Sequence, residues 1–172
     1  EGVQYDASAE TPGWTTTAFD AKDWGPVSLL GGGDLAVVGE LRTTLTPMVR
    51  RTQTFAAVSF EQQQTAKGHP SVYQYDMGQN AAATITLSLP PTGMTTDDNS
   101  TTIDFQLHFS EVSPDGPSLN VANMTYRTTA AKLAKDGITF TPSFTYGGFR
   151  FVKITVSSST ENFLLPTLTE AS

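Results

Sequence analysis

The chain has 172 residues, 38 % of them hydrophobic and only 16 % charged, with a formal net charge of −7 and a pI near 4.6. That balance disfavours nucleic acid and anionic membranes as partners. The absence of cysteine rules out disulfides, thiolate catalysis and cysteine-based zinc sites. No apolar run reaches the roughly 18 residues a membrane helix needs. Ten Phe, five Tyr and two Trp, set among many Val, Ile and Thr, are the composition of strands.

Residues 1–45 read as an N-terminal arm. Val3-Gln4-Tyr5 is a short strand and Thr11-Pro12-Gly13 a turn. Trp14, Phe19 and Trp24 follow in a polar, Pro- and Gly-punctuated stretch that ends in Gly31-Gly32-Gly33. Three aromatics in so irregular a segment are expected to pack on something larger, which makes Trp14 and Trp24 anchors in the first instance and sugar-stacking faces in the second.

Residues 46–172 read as a β-sandwich domain. Strands are expected at Met48 to Gln53, Ala56 to Glu61, Ser71 to Asp76, Ala83 to Leu89, Thr102 to Ser110, Ile138 to Phe144, Arg150 to Ser157 and Leu164 to Thr169. The alternation is clearest in Ile103-Asp104-Phe105-Gln106-Leu107-His108-Phe109. Pro90-Pro91-Thr92-Gly93 and Pro114-Asp115-Gly116 are turns. One helix is expected, from Tyr126 to Lys135. Many short strands at this spacing mean a sandwich or a barrel.

Candidate chemistry is sparse. His69 and His108 lie in different settings, with no triad or metal spacing joining them. Glu111, Asp104 and Asp76 are carboxylates near strands; glycoside hydrolysis would need two facing each other across a sugar, and bridging at strand ends is the simpler role. Asp97-Asp98-Asn99 offers too few oxygens for a calcium loop, so calcium is only a weak expectation. Gly78-Gln79-Asn80 and Gly147-Gly148 are expected to hold bulges or tight turns, with Arg150 forking onto a carboxylate such as Asp76 or Glu111. Asn99-Ser100-Thr101 and Asn123-Met124-Thr125 are N-glycosylation sequons, pointing to an extracellular or cell-surface protein.

Several of these elements occur together in a recognisable order. Asp76-Met77-Gly78-Gln79-Asn80 is similar to an Asp-Phe-Gly-Gln-Asn element, and Tyr146-Gly147-Gly148-Phe149-Arg150-Phe151 to Tyr-His-Gly-Phe-Arg-Tyr. With Tyr5-Asp6-Ala7, Gly13-Trp14, Asp23-Trp24 and His108-Phe109-Ser110-Glu111-Val112, they resemble the N-terminal and β-sandwich (concanavalin-like) accessory region of bacterial α-L-rhamnosidases. Two positions depart from the pattern: Thr84 stands for a Trp and Gly147 for a His.

The resemblance implies an all-β, jelly-roll-like antiparallel sandwich with an extended N-terminal arm and at most one short helix. It also implies that the catalytic helical barrel, with its acid and base, is missing, and that Asp6, Trp14 and Trp24 fall near a region that binds sugar in some relatives. A terminal strand without its parent half-domain either folds back or completes the sheet of a neighbouring copy, and open head-to-tail exchange builds filaments. The preferred expectation is therefore a non-catalytic, glycosylated, extracellular structural subunit that polymerises with copies of itself through an arm centred on Val3, Tyr5 and Trp14. The alternatives are a carbohydrate-binding module for rhamnose-type glycans and an accessory-domain fragment of a longer rhamnosidase.

Overall fold

The computed structural model describes residues 3–27, 43, 45–63, 69–92, 99–115, 124–142, 146–160 and 168. They form two compact units, residues 11–54 being one and residues 1–10 with 55–172 the other.

The larger unit is a β-sandwich. One layer is a six-stranded sheet in the order β1-β6-β5-β8-β3-β2, with β1 Val3–Asp6, β2 Ser59–Gln63, β3 Ser71–Ala83, β5 Thr102–Ser110, β6 Met124–Thr129 and β8 Gly147–Ser158. The opposing elements are a two-stranded sheet, β4 Leu87–Leu89 against β7 Ile138–Phe140, and the helix α1, Ala130–Asp136. Alternation decides which face is buried. Ile103, Phe105, Leu107 and Phe109 of β5 are fully or almost fully buried, beside Val152, Ile154 and Val156 of β8 and Tyr73 and Tyr75 of β3.

Several expected elements move. Residues 48–53 are not a strand: Met48 and Val49 are more than three-quarters exposed, and nothing among the described residues pairs with them. The expected Ala83 to Leu89 strand is split, its start prolonging β3 and its end forming β4. Of the expected Leu164 to Thr169 strand only Leu168, which is buried, lies within the described residues.

The helix begins four residues later than the pattern suggested, because Met124-Thr125-Tyr126-Arg127-Thr128-Thr129 is strand β6. The helix is set by its caps. The Thr129 hydroxyl accepts from the Lys132 N–H at 3.2 Å, and Gly137 (φ 67°) ends it by donating its N–H to the Leu133 carbonyl.

Among the described residues all sheet pairs but one are antiparallel. The exception is β1, which runs parallel to β6 and aligns Val3 with Met124 and Asp6 with Arg127. The terminal strand thus folds back on its own chain. Tyr5 fixes it there, stacking on Tyr126 at 5.6 Å and on Phe140 of the opposing layer at 4.8 Å. The Ala7 N–H continues the pairing by donating to the Arg127 carbonyl.

Residues 11–27 of the smaller unit are a run of turns. Gly13 (φ 78°) opens one in which the Thr16 N–H and hydroxyl both donate to the Gly13 carbonyl. The Asp20 carboxylate accepts from the Lys22 N–H and pairs with its ammonium at 3.4 Å, and the Trp24 N–H donates to the Ala21 carbonyl.

Candidate carbohydrate-recognition surface

Those turns gather the three aromatics of the arm. Trp24 lies at 5.3 Å from Phe19, edge to face, and at 6.4 Å from Trp14. The rings pack on one another, and Trp14 and Trp24 are 54 % and 53 % exposed. Trp24 and Phe19 line an open cavity of about 470 Å³ together with Thr11, Asp20, Lys22 and Asp23. An indole face beside carboxylates, an ammonium and a hydroxyl is chemically apt for a sugar ring: the aromatic covers its C–H face while the polar groups exchange hydrogen bonds with its hydroxyls.

Asp6 belongs to the larger unit. Its carboxylate accepts from both the N–H and the hydroxyl of Ser8, at 2.9 and 2.6 Å, and those bonds hold its pKa below the usual carboxylate value. Val3 and Tyr5, expected in an assembly arm, are committed to β1.

The two family-like elements converge in the larger unit. Asp76 pairs with Phe151 and Ala81 with Phe149, so Met77 to Asn80 bulge opposite Arg150 alone. Gly78 (φ 79°) turns the bulge, and its N–H donates to Asp76 at 2.7 Å. Arg150 forks onto the same carboxylate at 2.8 and 2.7 Å and lies over the Phe151 ring. The arginine bonds are the largest cause of the lowered Asp76 pKa.

Glu111, the other candidate partner of Arg150, instead leans over Gly148. Asp104 grips Arg127 in a second fork, at 2.7 Å through each oxygen. Asp76, Asp104 and Glu111 therefore do not form a facing catalytic pair: the first two are each closed onto an arginine.

Among the described residues no three His, Cys, Asp or Glu side chains gather where they would hold a metal ion. Asp97, Asp98 and Asn123 lie outside the described residues. Asn99 is exposed, but its carboxamide oxygen lies 3.4 Å from the Thr129 hydroxyl, and the sequon's Thr101 is buried with its hydroxyl 3.0 Å from that of Thr160. Among the described residues no helix is long and apolar enough to cross a membrane.

The cavity polar groups Thr11, Asp20, Lys22 and Asp23 were missed as site residues. Their signal was the tight polar spacing around Phe19 and Trp24, which a turn folds onto one side.

Comparison with known proteins gives a consistent assignment. An α-L-rhamnosidase of Streptomyces avermitilis is 28 % identical over 156 residues, covering 90 % of this chain and 14 % of that protein. Those of Alteromonas sp. strain LOR and Formosa agariphila are 30 % and 29 % identical, each covering 90 % of this chain and 15 % of the relative. The chain thus spans about one-seventh of the length of the curated relatives it matches. Among solved structures, the CBM32 of AlyQ in complex with 4,5-unsaturated mannuronic acid aligns with a TM-score of 0.45 and 15 % identity, over 64 % of this chain and 91 % of that one. Residues 66–170 match the model of the bacterial alpha-L-rhamnosidase concanavalin-like domain, so the chain belongs to that family.

Proposed function

We propose that this chain is a non-catalytic accessory module of the rhamnosidase type that recognises rhamnose-type glycans outside the cell, with the Trp24 cleft as its sugar-contacting surface. The observation that carries the reading is the half-exposed Trp24 indole lining a cavity with Phe19, Thr11, Asp20, Lys22 and Asp23. The cavity volume falls within the roughly 300–1,000 Å³ range of small-molecule clefts. Family membership supports the accessory-module part of the reading, because residues 66–170, outside the cleft, match the concanavalin-like domain and the aligned chain makes up a small part of each rhamnosidase relative.

Asp76 and Asp104, each closed onto an arginine, are not free to act as an acid and base pair, which supports a binding role over hydrolysis at those strands. The cis pairing of β1 supports a self-contained module over a filament built by strand exchange. A glycan array probed with the purified chain, with rhamnoside hydrolysis assayed in parallel, tests the reading. Retention on rhamnose-terminated glycans without turnover is the expected result, whereas turnover that tracks the protein, or no retention on any glycan, refutes it.

A further inference from the structure

We infer that Arg50-Arg51 is a proteolytic processing site for a trypsin-like endopeptidase, and that the nicked chain stays assembled because strand β1 clasps the N-terminal fragment to the larger unit. Residues 47–57 carry the chain from the smaller unit into the larger without regular secondary structure. Arg50 and Arg51 are exposed, and Met48 and Val49 beside them are more than three-quarters exposed. Neither arginine makes a side-chain hydrogen bond or ion pair among the described residues. An endopeptidase draws several consecutive residues into its cleft in extended form. A strand held in its ladder resists that, whereas an exposed irregular segment yields to it without unfolding the rest.

Charge singles out the same segment. The chain holds 17 Asp and Glu, yet none lies between Glu40 and Glu61. A trypsin-like pocket presents a carboxylate to the basic side chain, and acidic neighbours on the substrate compete with it. Lys22 gives the contrast: it is exposed too, but it sits among Asp20 and Asp23 with its ammonium 3.4 Å from Asp20. The other described cations are held in regular structure, Arg127 in β6, Arg150 and Lys153 in β8, and Lys132 and Lys135 in α1. Arg42 and Lys67 lie outside the described residues.

Hydrolysis after Arg51 adds the hydroxyl of water to the Arg51 carbonyl carbon and a proton to the Thr52 nitrogen. The peptide bond breaks, leaving residues 1–51 with a new carboxylate and residues 52–172 with a new amine. The first fragment keeps its hold on the second. Its strand β1 pairs with β6, and the Ala7 N–H donates to the Arg127 carbonyl at 2.8 Å. Tyr5 stacks on Tyr126 and on Phe140, and Ala7 is buried. All of those partners belong to the second fragment. Cleavage thus turns a covalent link into a strand-mediated one and leaves the aromatic segment attached.

The test is limited digestion of the purified chain with a low dose of trypsin, read by intact mass and by gel filtration. The first cut is expected after Arg50 or Arg51, and the double variant R50Q/R51Q is expected to slow it by about tenfold or more. The wild-type fragments are expected to co-elute in buffer, to part in urea, and to keep the slow hydrogen exchange of the β6 amides. In Y5A they are expected to part without denaturant.

A first cut after Lys22, Arg42 or Lys67, or an unchanged rate in folded R50Q/R51Q, overturns the processing site. Wild-type fragments that part in buffer overturn the clasp, as do β6 amides that exchange faster once the chain is nicked. Fragments that stay together in folded Y5A also overturn it.

Discussion

Arg150 and Asp76, 74 positions apart, close a two-point fork at 2.8 and 2.7 Å across the irregular β3–β8 seam. The same Asp76 carboxylate caps the bulge by accepting from the Gly78 N–H. One acidic side chain thus ties the long-range pairing to the local turn. Replacing it with alanine is expected to lower the thermal midpoint and to broaden the amide resonances of Met77 to Asn80 more than those of β5. An unchanged bulge in D76A would assign the geometry to the backbone alone.

Gly78 and Gly137 are expected to be less tolerant. Each has a positive φ, and a Cβ at Gly78 would lie 2.8 Å from Val58 Cγ1. At Gly137 a Cβ would run into the Leu89 carbonyl oxygen, with the Pro90 carbonyl carbon 2.8 Å away. Val58 is an exposed side chain that can yield, whereas backbone cannot. G78A is therefore expected to cost about 1–2 kcal/mol and G137A on the order of 3 kcal/mol, measured by urea unfolding. Equal costs would contradict the distinction.

Much of this seam was legible in the sequence, because glycines between alternating runs and a lone arginine in a strand have few local explanations. The β5 strand was legible for the same reason, its period of two being unbroken. Strand β6 was not: Tyr126-Arg127-Thr128-Thr129 runs directly into Ala130-Ala131-Lys132, and the alanines drew the helix start back over it. The capping residue Thr129 was the available signal. The parallel pairing of β1 was also hidden, since its partner lies about 120 residues away and neither strand specifies a direction. Exposure of Trp14 and Trp24 depends on how the turns fold, which composition does not set.

Tyr5 locks that non-local strand. Y5A removes its stacking with Tyr126 and Phe140 and is expected to cost about 2 kcal/mol, with faster hydrogen exchange in β1 and the facing β6 amides. Exchange unchanged in β1 would show that its backbone pairing suffices.

Thr84 has a buried hydroxyl with no hydrogen-bond partner among the described residues. T84V replaces that hydroxyl with a methyl group of similar shape. The variant is expected to be at least as stable as the wild type, gaining up to about 1 kcal/mol. A clear loss of stability would show that the hydroxyl is satisfied after all.

Alkaline pH should loosen the sandwich. Burial, ahead of any charge effect, pushes the phenols of Tyr5 and Tyr75 up to about 12 from an ordinary value of 10.0. A phenol whose pKa is raised by folding binds its proton more tightly in the native state. Its contribution is fully present below pH 10 and is lost as pH rises toward 12. The thermal midpoint is expected to fall across that window, and less steeply in Y5F. Identical slopes in Y5F and wild type would exclude Tyr5 as a contributor.

Sugar recognition by the proposed Trp24 cleft depends on the exposed indole. Isothermal titration of the chain with a rhamnose-terminated oligosaccharide, comparing wild type with W24A, tests it most directly. Saturable binding by the wild type is expected, with at least a tenfold loss in folded W24A, the effect of about 1.4 kcal/mol of stacking. Equal affinity in the two proteins, or no heat with either, would contradict it.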